Sequence, residues 1–453
     1  MSLEFFPEEL AVFCKGHWNT IPEKFFSGIE TDSRKDLAGK LFVALAGEKF
    51  DAHNFLYDAF AKGAALCVRR DKAHLVPEGA HALIVDDTLA AYQDMAHGHR
   101  LKMKDLKIAA VTGSVGKTSV KEMLRSIFIS ACGKTSVLAT EGNTNNHIGV
   151  PQNLLRLTPD IRYAVIEMGT SSPGEIAVLS RMTCPDAAVV NSIAPCHLEK
   201  LIDLNGVAKE KGDIFLSLSP AGTAVIPGDI EQTSILSKCA SQHKTDTFGD
   251  LPECSVRTNY LGGDLLGSSF ELIAGAERHT VSWQLTGRHQ CRNASAAAAV
   301  ALSFGIAPEI IARGLANTTL PGMRGKIVKC GNATIFNDAY NASPASMAAV
   351  LRMVAESISS GRVCLLLGTM LELGEHSRNE HIKVLKLARQ LFPDGMIYTV
   401  GDGFADLSES DRHYAISSDA ADDISKLCGQ NISIIVKGSR GTALEKALPP
   451  EAR

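Results

Sequence analysis

The stretch that most constrains this fold is VTGSVGKTSVKEML, residues 111–124. The apolar run KIAAVTG, residues 107–113, enters it and is typical of a buried strand. Apolar residues at helical spacing follow it and predict one buried helix face: Val120, Met123, Leu124, Ile127, Phe128 and Ala131. Strand, glycine-rich turn and amphipathic helix together indicate a phosphate-binding loop, in which backbone N–H groups and the helix N-terminus attract an anion.

This loop is a shortened variant, because only Ser114 and Val115 separate Gly113 from Gly116, whereas the common phosphate loop has a longer spacer. In the loop, Lys117 would supply a point charge. An alternative from the residues alone is a plain strand–helix turn capped by Thr118.

The composition favours a globular protein with more than one domain. The chain has 453 residues, of which 45% are hydrophobic and 21% charged, and this length predicts two or three domains. A net charge of −4 gives no reason to expect nucleic acid or an anionic membrane as a partner.

The eleven scattered cysteines include no Cys-x-x-Cys pair, which fits a reducing compartment. The acidic N-terminus resembles no signal peptide, and no stretch is apolar enough to span a membrane. These features predict a cytoplasmic protein.

Three segments are expected, with bounds 1–105, 106–320 and 321–453. The first has short apolar runs such as KLFVALAG and ends in the helical-looking HGHRLKMKDLK; the second and third alternate strand-like and helical patterns. We therefore predict an α/β protein with a small α/β N-terminal domain, a central parallel-sheet domain with the phosphate loop, and a Rossmann-like C-terminal domain. Beyond KIAAVTG, the predicted strands of the last two segments are YAVIEMG, DAAVVNS, GTAVIPG, ATIFND, RVCLLLG, MIYTVG and ISIIVKG. The alanine-rich residues 293–307 predict a buried helix, and GDGFAD a turn.

The loop TGSVGKTS resembles the ATP loop of the Mur ligases, which add amino acids to the peptidoglycan precursor, and of their folylpolyglutamate synthase relatives. TDSRKDLAGKLFVALAGEKFDAHNF resembles the uridine-nucleotide-binding N-terminal region of the Mur ligases. EGNTNNHIGVPQNLLRL and IEMGTSSPGEI resemble their central domain. NDAYNASPASMAAVL and LLGTMLELGEHSRNEH resemble the C-terminal domain of the member that transfers D-alanyl-D-alanine. The resemblance covers essentially the whole chain, in order.

This resemblance implies an ATP-dependent amide ligase that adds D-alanyl-D-alanine to UDP-N-acetylmuramoyl-tripeptide through an acyl phosphate, a cytoplasmic step of peptidoglycan synthesis. It implies ATP and two Mg²⁺ ions as cofactors, small-molecule substrates and a monomer. It also implies an ATP site in which Asn293 contacts the base, Arg324 the γ-phosphate and Asp338 the ribose. The implied ATP-binding residues are Thr112, Gly113, Ser114, Val115, Gly116, Lys117, Thr118, Asn293, Arg324, Asp338, Tyr340 and Asn341.

The implied catalytic group is Lys117, Glu167, His197 and Lys211. Glu167 ends an apolar strand, where parallel sheets place ligand groups, and would share one Mg²⁺ with Thr118. His197 would bind the second Mg²⁺ together with Lys211, carrying a carbamate. From the residues alone, Lys211 could equally be a solvated helix lysine that competes with Lys209 for this role.

For the acceptor, the resemblance implies Ser33 and Arg34 for the uridine and pyrophosphate, and Thr144, Asn145 and Asn146 for the sugar and peptide. Three residues depart from the family pattern: His147 where an acid is expected, Gln290 in place of an asparagine, and Thr369 within the usual LGDM.

Other protein classes fit less well. A regulatory GTPase needs an Asn-Lys-x-Asp motif, and the chain has no Asn-Lys pair. A non-enzymatic descendant would be expected to lose Lys117, Glu167 or His197. A diaminopimelate-adding ligase would carry Asp-Asn-Pro-Arg, which is absent, and folylpolyglutamate synthases lack NDAYNASP and LELGE. The third residue of the tripeptide, diaminopimelate or lysine, stays open.

Overall fold

A computed structural model describes residues 3–47, 49–358 and 361–453, with Leu198 described by its backbone alone. These residues form three β-sheets that follow one another along the chain, each with its own helices. The predicted α/β class with three sheet-containing domains is therefore confirmed.

The N-terminal sheet has five strands in the order β1-β5-β4-β3-β2, in which β2 to β5 are mutually parallel and β1 is antiparallel to β5. The predicted run KLFVALAG contributes β3. The strands of this domain are β1 (His17–Trp18), β2 (Ile29–Glu30), β3 (Leu41–Val43), β4 (Ala65–Arg69) and β5 (Ala82–Val85). Its helices are α1 (Pro7–Cys14), α2 (Leu56–Ala61) and α3 (Thr88–Lys102).

The middle sheet has nine strands in the order β14-β13-β12-β11-β10-β9-β6-β8-β7. Strands β6 to β12 are parallel, whereas β12, β13 and β14 form an antiparallel meander that the sequence analysis missed. Strands: β6 (Lys107–Thr112), β7 (Val137–Ala139), β8 (Tyr163–Glu167), β9 (Ala187–Val190), β10 (Thr223–Pro227), β11 (Lys244–Gly249), β12 (Val256–Asp264), β13 (Gly267–Ala274) and β14 (Glu277–Trp283). Helices: α4 (Lys117–Cys132), α5 (Gly149–Leu154), α6 (Glu175–Thr183), α7 (Leu198–Leu201), α8 (Leu204–Gly212), α9 (Thr233–Cys239), α10 (Arg288–Ser303) and α11 (Pro308–Ala316).

The C-terminal sheet has six strands in the order β15-β16-β20-β17-β18-β19, all parallel except the edge strand β15. The strands of this domain are β15 (Lys326–Cys330), β16 (Ala333–Asn337), β17 (Arg362–Gly368), β18 (Met396–Val400), β19 (Arg412–Tyr414) and β20 (Ile432–Lys437). Its helices are α12 (Pro344–Ser357), α13 (Ser377–Leu391) and α14 (Ala421–Cys428). Short 3-10 helices lie at Ala52–Phe55, Arg70–Leu75, Lys134–Ser136, Asp213–Phe215, Gly374–His376, Asp402–Phe404, Ser417–Ala420, Arg440–Thr442, Leu444–Ala447 and Pro450–Ala452.

The predicted strand runs and helix faces are confirmed with two corrections. The predicted apolar face of α4 is buried from Val120 to Phe128, but Ala131 is exposed, since it lies in the last turn of the helix, next to its C-terminal end at Cys132. The helical stretch predicted at HGHRLKMKDLK ends at Lys102, where α3 stops before β6 begins. The alanine-rich helix is α10, and GDGFAD contains a 3-10 turn.

The register of the middle sheet sets where the site lies. Strand β6 lies between β8 and β9, and its register pairs Val111 with Glu167 and Thr112 with Val190. The three strands therefore end at the same edge. In parallel sheets ligands bind at this carboxyl edge.

Among the described residues no helix is both long and apolar enough to cross a membrane.

Candidate active site

The phosphate loop lies between β6 and α4, and its glycines are required by the packing around them. Gly116 has φ +80°, and a Cβ there would lie 2.7 Å from Asn191 Nδ2 and 2.7 Å from Asn293 Oδ1. Asn191 also fills the space beside Gly113. The Lys117 ammonium donates a 2.7 Å hydrogen bond to the carbonyl of Gly113, so it lies folded over the loop.

Oxygen atoms from two elements meet beside the loop. Thr118 Oγ1 donates to Glu167 Oε2 at 3.0 Å, and Asn145 Nδ2 donates to Glu167 Oε1 at 3.0 Å. Glu167 is only 3% exposed, so these hydrogen bonds fix its carboxylate. A hydroxyl and a carboxylate at hydrogen-bonding distance at a helix N-terminus are the hard oxygen donors that Mg²⁺ binds. These residues fit one magnesium ion.

Behind this pair lies a buried lysine that the sequence analysis missed. Lys121 is 2% exposed and donates to the carbonyl of Thr140 at 3.0 Å, while Thr140 Oγ1 accepts from the Glu167 N–H at 2.9 Å. Lys121 therefore ties α4 to the segment that supports Glu167. A lysine one turn into a helix gives no signal of burial.

His197 follows β9 and lies at the boundary with the third domain. Its Nδ1 lies 3.2 Å from Glu372 Oε2. Burial lowers the pKa of His197; the carboxylate of Glu372 opposes this shift and the nearby Lys211 charge adds to it. The imidazole is therefore held toward its neutral form, in which a ring nitrogen can bind a metal.

Lys211 is buried in α8, whereas Lys209 is exposed. The Lys211 side chain is 1% exposed and makes no hydrogen bond or ion pair with any described residue. Burial, with a contribution from the charge of Lys117, lowers its pKa to about 7. The interpretation of Lys211 as a solvated helix lysine is therefore wrong.

The third domain closes the opposite side of the site. Asp338 follows β16, and its carboxylate accepts a 2.6 Å hydrogen bond from Lys437, a 3% exposed lysine at the end of β20 that the sequence analysis missed. The Arg324 guanidinium lies 3.8 Å from the centre of the Tyr340 ring, a cation–π contact.

A cavity of about 770 Å³ lies between the middle and third domains. Most of the predicted ATP- and metal-binding residues line it, together with two of the predicted acceptor residues. The predicted residues in its lining are Ser114, Val115, Gly116, Lys117, Thr118, Asn145, Asn146, Glu167, His197, Asn293, Arg324, Asp338, Tyr340 and Asn341.

Other predicted residues do not line this cavity. The side chain of Arg34 is 88% exposed and pairs with Asp32 in the N-terminal domain, and Ser33 uses its carbonyl to accept from Lys62. Thr112 is buried and donates to the carbonyl of Met168. The residues outside the lining are Ser33, Arg34, Thr112, Gly113, Thr144 and Lys211.

The three departures from the family pattern have structural partners. Gln290 Oε1 accepts from Asn293 Nδ2 at 3.2 Å, and the His147 carbonyl accepts from Gln93 at 3.0 Å. Thr369 Oγ1 donates to the carbonyl of Val400 and accepts from the Gly403 N–H. Gln290 and Thr369 are therefore integrated through their side chains, whereas the exposed His147 is held through its backbone.

The described residues contain no cluster of three or more histidine, cysteine, aspartate or glutamate side chains of the kind that holds a metal ion alone. Any ion here would draw other ligands from water or substrate.

Family models match two parts of the chain: the Mur ligase middle domain matches residues 111–301, and the glutamate ligase domain of Mur ligases matches residues 323–453. The UDP-N-acetylmuramoyl-tripeptide–D-alanyl-D-alanine ligase of Escherichia coli strain K12 is 38% identical over 428 residues, which cover 93% of this chain and 92% of that protein. The chain belongs to the Mur ligase family. It is an ATP-dependent ligase.

One further relative and two solved structures are also similar to this Mur ligase. The Bacillus subtilis protein of the same name is 34% identical, and the match covers 92% of each chain. A crystal structure of MurF from Acinetobacter baumannii superposes with a TM-score of 0.90 at 29% identity, covering 98% of both chains. A MurF ligase from Thermotoga maritima in complex with ADP, with a TM-score of 0.82 over 93% of this chain and 96% of that one, is 23% identical and shows the shared fold alone.

Proposed function

We propose that this Mur ligase joins D-alanyl-D-alanine to UDP-N-acetylmuramoyl-tripeptide at the expense of ATP, as a step of peptidoglycan synthesis. The observation that carries the proposal is the shared cavity, in which the phosphate loop and Glu167 of the middle domain face Arg324 and Asp338 of the third. The relatives named for this reaction align with more than nine-tenths of the chain, which supports the choice of substrates.

The reaction brings together ATP and a carboxylate, which are both anionic. The terminal carboxylate of the tripeptide attacks the γ-phosphate, ADP leaves, and the amine of the dipeptide then displaces phosphate from the acyl phosphate. In this scheme the N–H groups of the phosphate loop and Lys117 hold the phosphates, and Arg324 balances charge on the γ-phosphate. The chain acts mainly by positioning groups and by supplying positive charge.

Thr118 and Glu167 would hold one Mg²⁺ ion, and His197 with Lys211 a second. Bound magnesium would neutralise the phosphate and carboxylate charges that must approach each other. Asn145 holds Glu167 in place through its 3.0 Å hydrogen bond, in addition to the substrate contact predicted for it.

For Lys211 to be a ligand, it must become an anion. A neutral amine adds CO₂ to give a carbamate and releases one proton, and a lysine with a pKa of about 7 is largely neutral at slightly alkaline pH. Burial without a hydrogen-bond acceptor among the described residues disfavours the ammonium form, and the nearby Lys117 charge would favour an anion. These features support a carbamate on Lys211 rather than on the exposed Lys209.

The remaining assignments follow the same scheme. Asn293 would contact the adenine base, and Asp338 the ribose with Tyr340 and Asn341 beside it. The acceptor would lie with its uridine diphosphate near Ser33 and Arg34. Its sugar and peptide would lie near Thr144, Asn145 and Asn146. The predicted domain bounds, 1–105, 106–320 and 321–453, belong to this proposal, as do a monomeric state and a cytoplasmic location.

The test is ADP release with each acceptor and donor in turn. Purified ligase should sustain the turnover of ATP to ADP only when UDP-N-acetylmuramoyl-tripeptide and D-alanyl-D-alanine are both present, and trials with diaminopimelate and lysine tripeptides would identify the third residue. D-alanine and L-glutamate serve as controls, because sister enzymes take single amino acids. If turnover with D-alanine or with L-glutamate equals turnover with the dipeptide, the proposal is contradicted.

A further inference from the structure

We propose that Glu372 of the third domain is a positioning residue for His197 of the middle domain, so that contact between these domains completes the second magnesium site. The inference rests on the proposed role of His197 as a metal ligand.

Glu372 and His197 meet at ion-pair distance across the boundary between the third and middle domains. Glu372 Oε2 lies 3.2 Å from Nδ1 of His197, close enough for the carboxylate to influence the orientation of the ring, and neither ring nitrogen makes a hydrogen bond with a described residue. Histidines that bind metals commonly place their other ring nitrogen against a carboxylate, which sets the orientation of the ring. The Glu372 side chain is 73% exposed, and exposed ion pairs add little to stability, so stabilisation of the fold does not account for this contact.

The backbone is unusual on both sides of the contact. His197 has φ +51° and Glu372 has φ +63°, and they are two of only seven non-glycine residues with positive φ in the described part of the chain. Left-handed backbone is unfavourable for these residue types and is concentrated at functional sites. Both segments therefore accept strain where they present these two side chains to each other.

Buried groups of the third domain fix the loop that carries Glu372. The Met370 N–H donates to His381 Nε2 at 2.9 Å, and the Leu371 N–H donates to Ser439 Oγ at 3.0 Å. His381 is completely buried, so these two hydrogen bonds fix the backbone of the loop up to Leu371, the residue before Glu372.

On the far side of Glu372 the loop packs against the middle domain. Gly374 has φ +50°, and a Cβ at this position would lie 2.6 Å from Glu199 Oε1. The loop thus touches the segment that begins at His197 at two points. Its placement reflects domain contact rather than the reach of one flexible side chain.

An exposed carboxylate beside the cavity could also bind the ammonium group of the dipeptide. The two roles differ in what they affect. Positioning of His197 predicts a change in metal affinity, whereas ammonium binding predicts a change in KM for D-alanyl-D-alanine alone.

The experiment compares Glu372→Ala and Glu372→Gln with Glu375→Gln. Glu375 is an exposed residue of the same loop that makes no side-chain hydrogen bond or ion pair to any described residue, so its variant is a matched charge control. Binding of Mn²⁺ is followed by electron paramagnetic resonance with a non-hydrolysable ATP analogue and UDP-N-acetylmuramoyl-tripeptide present. KM and kcat for the dipeptide are measured in parallel.

We expect two Mn²⁺ ions on the unmodified ligase, and an affinity for one of them that falls ~10- to 100-fold in Glu372→Ala, the usual effect of losing such a partner. Glu372→Gln should retain part of this affinity because its amide oxygen can still accept from Nδ1–H, and Glu375→Gln should match the unmodified ligase. Nucleotide affinity should stay unchanged in all three variants.

Equal Mn²⁺ binding in all variants would overturn the inference, as would a single Mn²⁺ in the unmodified ligase or a rise in dipeptide KM with unaltered Mn²⁺ binding. Failure of the proposed function would appear differently, as absence of turnover with the dipeptide in the unmodified ligase.

Discussion

Replacing Lys211 by methionine should stabilise the ligase in the absence of CO₂. The ordinary lysine pKa of 10.5 falls to about 7 at this site, which corresponds to about 5 kcal/mol at ~1.4 kcal/mol for each tenfold change in proton affinity. The folded protein bears this penalty in full below pH 7, where the lysine is charged in both the folded and the unfolded state. Between pH 7 and 10.5 the unfolded state binds more protons, so the stability of the unmodified ligase rises with pH.

Lys211→Met removes the charge and keeps a long apolar side chain. Its free energy of unfolding at pH 6 should exceed that of the unmodified ligase by several kcal/mol, at most about 5, and the gain should shrink as the pH rises toward 10.5. The assay is urea unfolding in CO₂-free buffer, followed by Trp283 of the middle domain in a Trp18→Phe background. Lys209→Met, an exposed neighbour, should change stability by less than about 0.5 kcal/mol.

A Lys211→Met ligase that is no more stable than the unmodified ligase at pH 6, or a difference that does not vary with pH, would contradict this burial penalty. A linked result is expected with ¹³C-labelled bicarbonate: a carbamate carbon resonance in the unmodified ligase that Lys211→Met lacks and Lys209→Met retains.

Three further predictions concern the phosphate loop and the domains. Lys117→Ala should keep the fold but lower kcat by more than a hundredfold, since losing one such contact costs ~3 kcal/mol of transition-state stabilisation; near-normal kcat would refute this role. Gly116→Ala should abolish nucleotide binding measured by calorimetry, because its Cβ would press on Asn191 and Asn293 in a left-handed backbone that itself costs ~1–2 kcal/mol; unchanged affinity would contradict the packing. An ATP analogue plus acceptor should make the molecule more compact in X-ray scattering, since both domains line one cavity; an unchanged radius of gyration would count against closure.

The fold could be predicted where buried strands are continuous apolar runs bounded by glycine. Strands β6, β8 and β17 are of this kind, and their sequences also indicated a parallel sheet. The meander from β12 to β14 was missed because its strands bury residues only intermittently, so no continuous apolar run marks them.

The candidate site was predictable where motif and strand end coincide, as for Thr118 and Glu167. Lys437 and Glu372 were missed for a physical reason: their neighbours are distant in sequence. Lys437 meets Asp338 across 99 residues, and Glu372 meets a histidine of another domain, so their surroundings exist only in the folded chain. The choice between Lys211 and Lys209 likewise required their burial to be known.

The most direct test of the account follows the oxygen atoms of the acceptor. UDP-N-acetylmuramoyl-tripeptide labelled with ¹⁸O in both oxygens of its terminal carboxylate is converted with ATP and D-alanyl-D-alanine, and mass spectrometry examines the phosphate and the peptide product. An acyl phosphate places one carboxylate oxygen between carbon and phosphorus, and attack by the amine releases it with the phosphate. We therefore predict one ¹⁸O in each phosphate released and a product one dipeptide longer. Unlabelled phosphate, or ADP release without the longer product, would contradict the account.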